Sequence, residues 1–303
     1  MATSLMESLS NEFASAAERH DKSVVAVHAR RWMPSSGIEW KRGVIVTANH
    51  GIRRDEDIHV LTSENKPLAA TLAGRDPSTD LAVLRVEGAF GAVPELGDSA
   101  SLKLGHLVLA LGRSRRGNLV ASAGMVGGIA GEFRTWRGGK LDQHIRLDLS
   151  LYPGLSGGPL VNAQGKVVGV NTNGLARGRA ITIPVSTVNR VVDELLETGH
   201  IARPYLGLAM QPVAIPEAMR GKLKFGAENG LLVVHVETGG PGEKGGVLLG
   251  DVLVEVQGKP VQEMETITEL LAAAKVGQTY SVTVLRGGNA AQLSITLGER
   301  PGK

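Results

Sequence analysis

Three residues far apart in the chain have the types that nucleophilic hydrolysis needs: His50, Asp80 and Ser156. Ser156 stands in Leu151-Tyr152-Pro153-Gly154-Leu155-Ser156-Gly157-Gly158-Pro159-Leu160. Glycine takes backbone angles closed to residues with a Cβ, so Gly154 lets the chain turn tightly before the serine and aim its N–H groups into one small space. Donors fixed in that way suit the negative oxygen of a tetrahedral intermediate, and loss of one lowers the rate by about a hundredfold or more. A lone serine among glycines is ordinarily only a turn. It becomes a nucleophile when a base takes its proton and a third group orients the base. His50 closes the strand-like run Gly43-Val44-Ile45-Val46-Thr47-Ala48-Asn49-His50. Asp80 ends the turn-rich Asp76-Pro77-Ser78-Thr79-Asp80, just before the apolar Leu81-Ala82-Val83-Leu84.

The chain order His, Asp, Ser is that of the two-barrel serine proteases, whereas other triad folds use other orders. Four motifs occur in sequence: Thr47-Ala48-Asn49-His50, Asp76 to Val83, Gly154-Leu155-Ser156-Gly157-Gly158-Pro159, and Gly169-Val170-Asn171-Thr172. On these the chain resembles the HtrA/Deg serine proteases, a chymotrypsin-like protease domain followed by one or more PDZ domains. The resemblance implies an endopeptidase acting on unfolded or misfolded polypeptides in protein quality control. Ser156 would be the nucleophile, His50 the base, Asp80 its orienting carboxylate, and the N–H groups of Gly154 and Ser156 the oxyanion donors, with no cofactor and no metal. The substrate pocket falls to Leu151, Tyr152, Val170, Asn171 and Thr172; its wall is apolar with nothing acidic, so cleavage is expected after small or medium aliphatic residues. Two positions depart from the family. Leu155 stands where Asn is usual, adding an apolar side chain beside the oxyanion turn, and Gly51 stands where Val is usual, loosening the segment that carries the base. A catalytically silent peptide-binding holdase with a vestigial triad is the alternative, although all three reacting residues are present.

The elements that would position these residues read as mainly β. Residues 4 to 19 have the spacing of an amphipathic helix, and the resemblance makes Phe13 a candidate contact in a homotrimer. From Ser23 to Ile183 short apolar runs alternate with turns, as a double β-barrel requires, with His50 and Asp80 on the first barrel and Ser156 on the second. Pro184 to Gly199 reads as a helix capped by Ser186 and stopped by Gly199. The expected domains are an N-terminal helix over 1–22, a trypsin-like protease domain over 23–200 and a PDZ domain over 204–300. In the last, Tyr205-Leu206-Gly207-Leu208 resembles a carboxylate-binding loop. A helix from about Glu263 to Ala274, with Ile267 and Leu271 on one face, would complete a groove for peptide C-termini. Gly240-Pro241-Gly242-Glu243-Lys244-Gly245 has the spacing of a dinucleotide fingerprint, but glycines break the chain again within a few residues, where a phosphate-binding helix should run.

Composition narrows the classes further. The 303 residues suit two domains, and 40 glycines with only 3% aromatic residues suit many short strands joined by tight turns. A net charge of +3, from 33 basic and 30 acidic residues well interspersed, gives no one-sign field to attract nucleic acid. The densest basic cluster, Arg113, Arg115 and Arg116, reads as a solvated turn. With no cysteine there are no disulfides or thiolate metal sites. No segment has the roughly 20 apolar residues of a membrane span. Met1 to Asn11 lacks an export signal, so the sequence as it stands reads as cytoplasmic, or as periplasmic or envelope-located if a leader has been removed.

Overall fold

The computed structural model describes residues 4–30, 33–88, 91–135, 138–176, 179–220 and 228–300. The chain divides into two compact units, Met1–Ile201 and Ala202–Lys303.

The first unit opens with helix α1 (Leu5–His20), whose N-terminal N–H groups are met by the Ser4 hydroxyl, 3.1 Å from the N–H of Glu7. Its apolar face turns inward: Ala16 is buried and Phe13 is half-buried against the core of its own unit. Phe13 therefore packs in part against its own unit and keeps part of its surface exposed. Strands β1 (Val24–His28), β2 (Ser35–Lys41), β3 (Val44–Ala48), β4 (Ile58–Leu61), β5 (Pro67–Asp76) and β6 (Leu81–Val86) close into a barrel in the order β1-β2-β3-β6-β5-β4. A second barrel follows, from β7 (Leu107–Arg113) and β8 (Leu119–Ala130), past a small hairpin of β9 (Phe133–Arg134) and β10 (Lys140–Leu141), to β11 (His144–Asp148), β12 (Pro159–Asn162), β13 (Val167–Thr172) and β14 (Ile181–Pro184). It closes as β11-β14-β13-β12-β7-β8. Closure leaves no unpaired edge strand, which is how short β-branched runs form a stable antiparallel sheet.

Each barrel has its own interior, Val25, Val27, Ile45, Val60 and Leu84 in the first and Val108, Val126, Ile145, Leu160 and Val168 in the second. A third cluster joins them. Ile38, Val46 and Leu81 meet Leu111, Val161 and Val170 there, and helix α2 (Val185–Thr198) adds Val188, Val191, Val192 and Leu195. Each such side chain contributes about 1.5–3 kcal/mol on burial, so the seam between barrels is held as firmly as their centres. Gly199 ends α2 at φ 79°, its N–H on the Leu195 carbonyl. Ser186 lies inside the helix; the capping position is Pro184, with no side-chain bond, because the chain arrives extended from β14 and the strand carries it straight into the first turn.

The second unit pairs β15 (Pro204–Tyr205) with β22 (Gly298–Glu299) and builds a sheet from β16 (Leu208–Ala214), β17 (Asn229–Val236), β18 (Val252–Val256), β20 (Thr279–Arg286) and β21 (Asn289–Thr296), in the order β16-β17-β18-β20-β21, with β19 (Lys259–Pro260) against β18. Helices α3 (Glu217–Arg220), α4 (Pro241–Lys244) and α5 (Met264–Ala272) complete it. Its core gathers Leu206, Leu231, Val233, Leu253, Ile267, Val282 and Ile295. The glycine-rich segment at Gly240 forms only the single turn α4, far short of a phosphate-binding helix.

Candidate active site

The buried strand β3 ends in a short 3-10 turn, Asn49–Gly51, that lifts His50 out of the barrel. Asp80 sits beside it, where β5 returns as β6. The turn between those strands is tied by the carboxylate of Asp76, which accepts from the N–H of Ser78 (3.0 Å), the Ser78 hydroxyl (2.7 Å) and the Thr79 hydroxyl (2.7 Å). Asp80 itself has φ 58°, a left-handed conformation that Asp tolerates better than most residues. That conformation aims both its backbone and its side chain at the histidine. The N–H of Asn49 donates to the Asp80 carbonyl at 2.9 Å, and the N–H of His50 to Asp80 Oδ1 at 2.8 Å. His50 Nδ1 lies 2.7 Å from Asp80 Oδ2. A carboxylate can only accept, so Nδ1 carries the proton and Nε2 keeps its lone pair. The Thr172 hydroxyl also donates to Asp80 Oδ2, and in turn accepts the N–H of Gly174 at 2.8 Å. Asp80 is 3% exposed, and every partner near it is a donor.

Across the seam lies the serine turn, between β11 and β12. Gly154 has φ 101° and Gly157 φ 90°, both favouring glycine, and at Gly157 a Cβ would lie 2.1 Å from the Ser36 carbonyl and 2.7 Å from the Ala48 nitrogen. The turn is gripped by Ser36 of β2. Its N–H donates to the Ser156 carbonyl (3.0 Å), its hydroxyl donates to the Gly154 carbonyl (2.6 Å), and the same hydroxyl accepts the N–H of Arg113 (2.8 Å). With the carbonyls of Gly154 and Ser156 turned to Ser36, the N–H groups of Gly154 and Ser156 point elsewhere and have no acceptor among the described residues. The Ser156 hydroxyl donates to Asn173 Oδ1 at 3.2 Å and receives the N–H of Asn173 at 3.4 Å. No bond joins it to His50 among the described residues.

Sequence reasoning missed Ser36, Asn173 and Gly174. A Cβ on Gly174 would fall 2.6 Å from Asp80 Oδ2 and 2.7 Å from His50 Nδ1, so only glycine lets the backbone after β13 pass against that pair. Asn173 and Gly174 directly follow the Gly169-Val170-Asn171-Thr172 motif, and their residue types alone give no sign of what they touch.

Several expectations need correcting. Val170, Asn171 and Thr172 have no exposed surface. Val170 is in the core, Asn171 donates to the Pro159 carbonyl (2.8 Å) and accepts from the Thr182 hydroxyl (2.9 Å), and Thr172 serves Asp80. All three are buried because β13 is covered on both faces, so they present no surface to a substrate side chain. Leu151 is half-buried against the second barrel, and Tyr152 is 61% exposed. Leu155 does not crowd the oxyanion turn. It is fully buried, lying over Gly112, where an added Cβ would come within 2.8 Å of its Cδ2. Gly51 does not loosen the base; a Cβ there would lie 1.8 Å from the Ser35 hydroxyl and 2.7 Å from Ser35 Cβ, so the serine fills the space that a larger residue would occupy. Arg113 is not solvated. It ends β7 at 2% exposure, donating to the carbonyls of Val24 (2.7 Å), Gly117 (2.6 Å) and Asp21 and to Asp21 Oδ1 (2.7 Å). Only Arg115 and Arg116 are exposed.

In the second unit Gly207 has φ 68°, and its carbonyl accepts the N–H of Glu237 at 2.9 Å while that of Leu206 accepts the N–H of Gly242 at 2.7 Å. The N–H of Gly207 has no acceptor among the described residues. Tyr205 is in β15; Leu206 and Ile267 are buried, whereas Leu208 and Leu271 are half-buried beside each other's elements. β16 is an edge strand, with α5 packed alongside. No group of three or more metal-binding side chains, and no helix long and apolar enough to cross a membrane, occurs among the described residues.

Residues 35–170 match the trypsin-like peptidase domain, and residues 204–297 the PDZ domain. The chain is 36% identical over 282 residues to the serine protease Do-like HtrA of Lactobacillus helveticus, covering 88% of this chain and 67% of that protein. It is 33% identical over 266 residues to a probable periplasmic serine endoprotease DegP-like of Pseudomonas putida, covering 86% of this chain and 54% of the relative. The chain thus spans about half the length of the periplasmic relatives that it matches. Among solved structures, the HtrA-type protease AlgW with decapeptide superposes with a TM-score of 0.73 at 25% identity, over 96% of this chain and 99% of that one. The serine endoprotease from Yersinia pestis gives 0.73 at 26%, over 95% and 98%. The chain belongs to the HtrA family of serine proteases.

Proposed function

We propose that this chain is an endopeptidase that cuts unfolded polypeptides through Ser156, His50 and Asp80. The observation that carries the reading is the 2.7 Å bond from His50 Nδ1 to Asp80 Oδ2, which leaves the lone pair of Nε2 to act as the base. The reaction requires the Ser156 side chain to leave Asn173 and present Oγ to Nε2. Oγ then attacks the peptide carbonyl as Nε2 takes its proton, and Asp80 stabilises the imidazolium. The N–H groups of Gly154 and Ser156 receive the oxyanion. His50 returns the proton to the departing amine, and a water activated by the same nitrogen releases the acyl group. No step requires a cofactor.

Leu151 and Tyr152 supply an apolar wall before the serine, which supports cleavage after small or medium aliphatic residues. The free N–H at Gly207 and the edge strand β16 support binding of peptide C-termini by the second unit. Relatives named as periplasmic support an envelope location over the cytoplasmic one; assembly as a homotrimer rests on the family resemblance alone. The resting bond between Ser156 and Asn173 favours activity that is low until a ligand shifts the population of the serine turn.

The test is digestion of an unfolded protein by wild type and Ser156→Ala, with the products sequenced. Cuts after Val, Ala, Leu or Ile that vanish in the variant are expected. Predominant cuts after Lys or Arg would refute the pocket. Equal suppression of aggregation by both proteins, with no cleavage even with added peptide, would replace the reading by a peptide-binding holdase.

A further inference from the structure

We propose that Pro212 ends the strand-forming part of the peptide groove, so that the second unit reads a free C-terminus over its last three residues only. This rests on the peptide-binding reading above and concerns how far along a ligand that reading extends. In a regular strand the N–H and C=O of one residue point to the same side, and those of its neighbour to the other. Two bonds fix which side is which on β16. The N–H of Ile215 donates to the Glu228 carbonyl at 2.8 Å, and the Gly207 carbonyl accepts from Glu237 at 2.9 Å. Odd-numbered residues therefore face β17. The register shifts between Ala209, opposite His235, and Met210, opposite Val233; the extra residue is Val234 of β17, so β16 keeps its alternation. Leu208, Met210, Pro212 and Ala214 face the open edge.

A peptide added antiparallel to that edge, its carboxylate at the Gly207 N–H, pairs its last residue with Leu208 and its third-from-last with Met210. Each of those offers a donor and an acceptor. The fifth-from-last residue meets Pro212, which has no N–H; its carbonyl still faces the edge, but its ring stands where the donor would be and holds the peptide backbone off that carbonyl. The ladder stops there. At the same point a 480 Å³ cavity opens between the end of β16 and the start of α5, lined by Pro212, Val213, Gln262 and Met264 among others, so the upstream chain can leave the edge without a clash. A proline at an edge also blunts unwanted sheet pairing, and the length dependence of binding separates that role from this one.

The experiment uses the full chain carrying Ser156→Ala, to prevent digestion, and a random heptapeptide library with free carboxylates beside the same library amidated. Selection confined to the last three positions, and lost on amidation, is expected. The strongest sequence is then made as tri-, penta- and heptapeptides. Kd should change by less than about twofold with length, since no further backbone bond forms. Pro212→Val restores one donor and should tighten the penta- and heptapeptides about three- to tenfold, a net hydrogen bond's worth, leaving the tripeptide unchanged. A wild-type Kd that improves more than about fivefold from tri- to pentapeptide overturns the proposal even if the variant fails to fold. So does a folded Pro212→Val that shows no gain with length. If no library member binds, the peptide-binding reading itself falls, and the proposal with it.

Discussion

The two halves of the candidate active site are built in different ways. On the first barrel, His50 and Asp80 are joined by backbone and side-chain bonds at once: Asp80 Oδ1 holds the N–H of His50, Oδ2 holds Nδ1, and the Asp80 carbonyl holds the N–H of Asn49. This half is complete before any substrate arrives. On the second barrel the serine turn has its shape fixed but its hydroxyl engaged elsewhere, with Asn173. Its carbonyls are held through Ser36, a residue of the opposite barrel. Each half thus draws on both barrels: Thr172 of the second donates to Asp80, and Ser36 of the first holds the serine turn. The proposed reaction requires the Ser156 side chain to leave Asn173, and the turn depends on the barrels staying docked.

The largest effect expected on the base half is that of Asp80→Asn. It keeps the shape but offers an amide where the ring needs a carboxylate, favouring the wrong tautomer, and kcat should fall by about 10⁴-fold with KM nearly unchanged in steady-state peptide hydrolysis. Next is the packing behind the base. Gly51→Val must displace Ser35, and rotating the hydroxyl still leaves the 2.7 Å approach to Ser35 Cβ. A loss of about 1–3 kcal/mol in urea unfolding is expected, recovered by adding Ser35→Gly; additive losses in the double variant would break the account of that pair.

On the serine half, Ser36→Ala leaves the half-buried Gly154 carbonyl and the buried Arg113 N–H without their partner. Stability should drop by about 1–3 kcal/mol. The sharper sign is in catalysis. At temperatures where the variant stays folded, kcat should fall about tenfold or more as oxyanion donation is misdirected, with Ser36→Thr rescuing part of it, whereas a purely structural role would leave kcat of the folded fraction unchanged. The smallest effect belongs to Asn173→Ala. Freed from its resting bond, Ser156 should react with a fluorophosphonate a few-fold faster, since one net hydrogen bond is removed from the ground state; a slower reaction would make Asn173 an aid to catalysis.

The barrels were legible because short apolar runs between turns admit few other arrangements, and the second domain because its strands flank one clear helix. Within the site, the motif around His50, the tied turn at Asp80 and the glycines about Ser156 are local patterns, readable one stretch at a time. What connects them is not local. Ser36 meets Gly154 across more than a hundred residues, and Ser35 meets Gly51 around a hairpin, so the space that Gly51 leaves looked like looseness in the sequence and is filled by a neighbour in the fold. Leu155 likewise appeared to face the oxyanion turn until Gly112 was seen to make room for it. Arg113 was misjudged by its company: it stands two residues before Arg115 in the chain, but β7 ends on it and the strand's alternation carries it inward to a cage of carbonyls.

The most direct measurement is labelling of the full-length chain by a fluorophosphonate, read by mass spectrometry of the modified peptide. An adduct on Ser156 that is lost in His50→Ala and slowed in Asp80→Asn is the predicted result. Absence of any adduct on wild type with and without added peptide, or labelling of Ser156 that ignores His50, would contradict a serine activated by that imidazole.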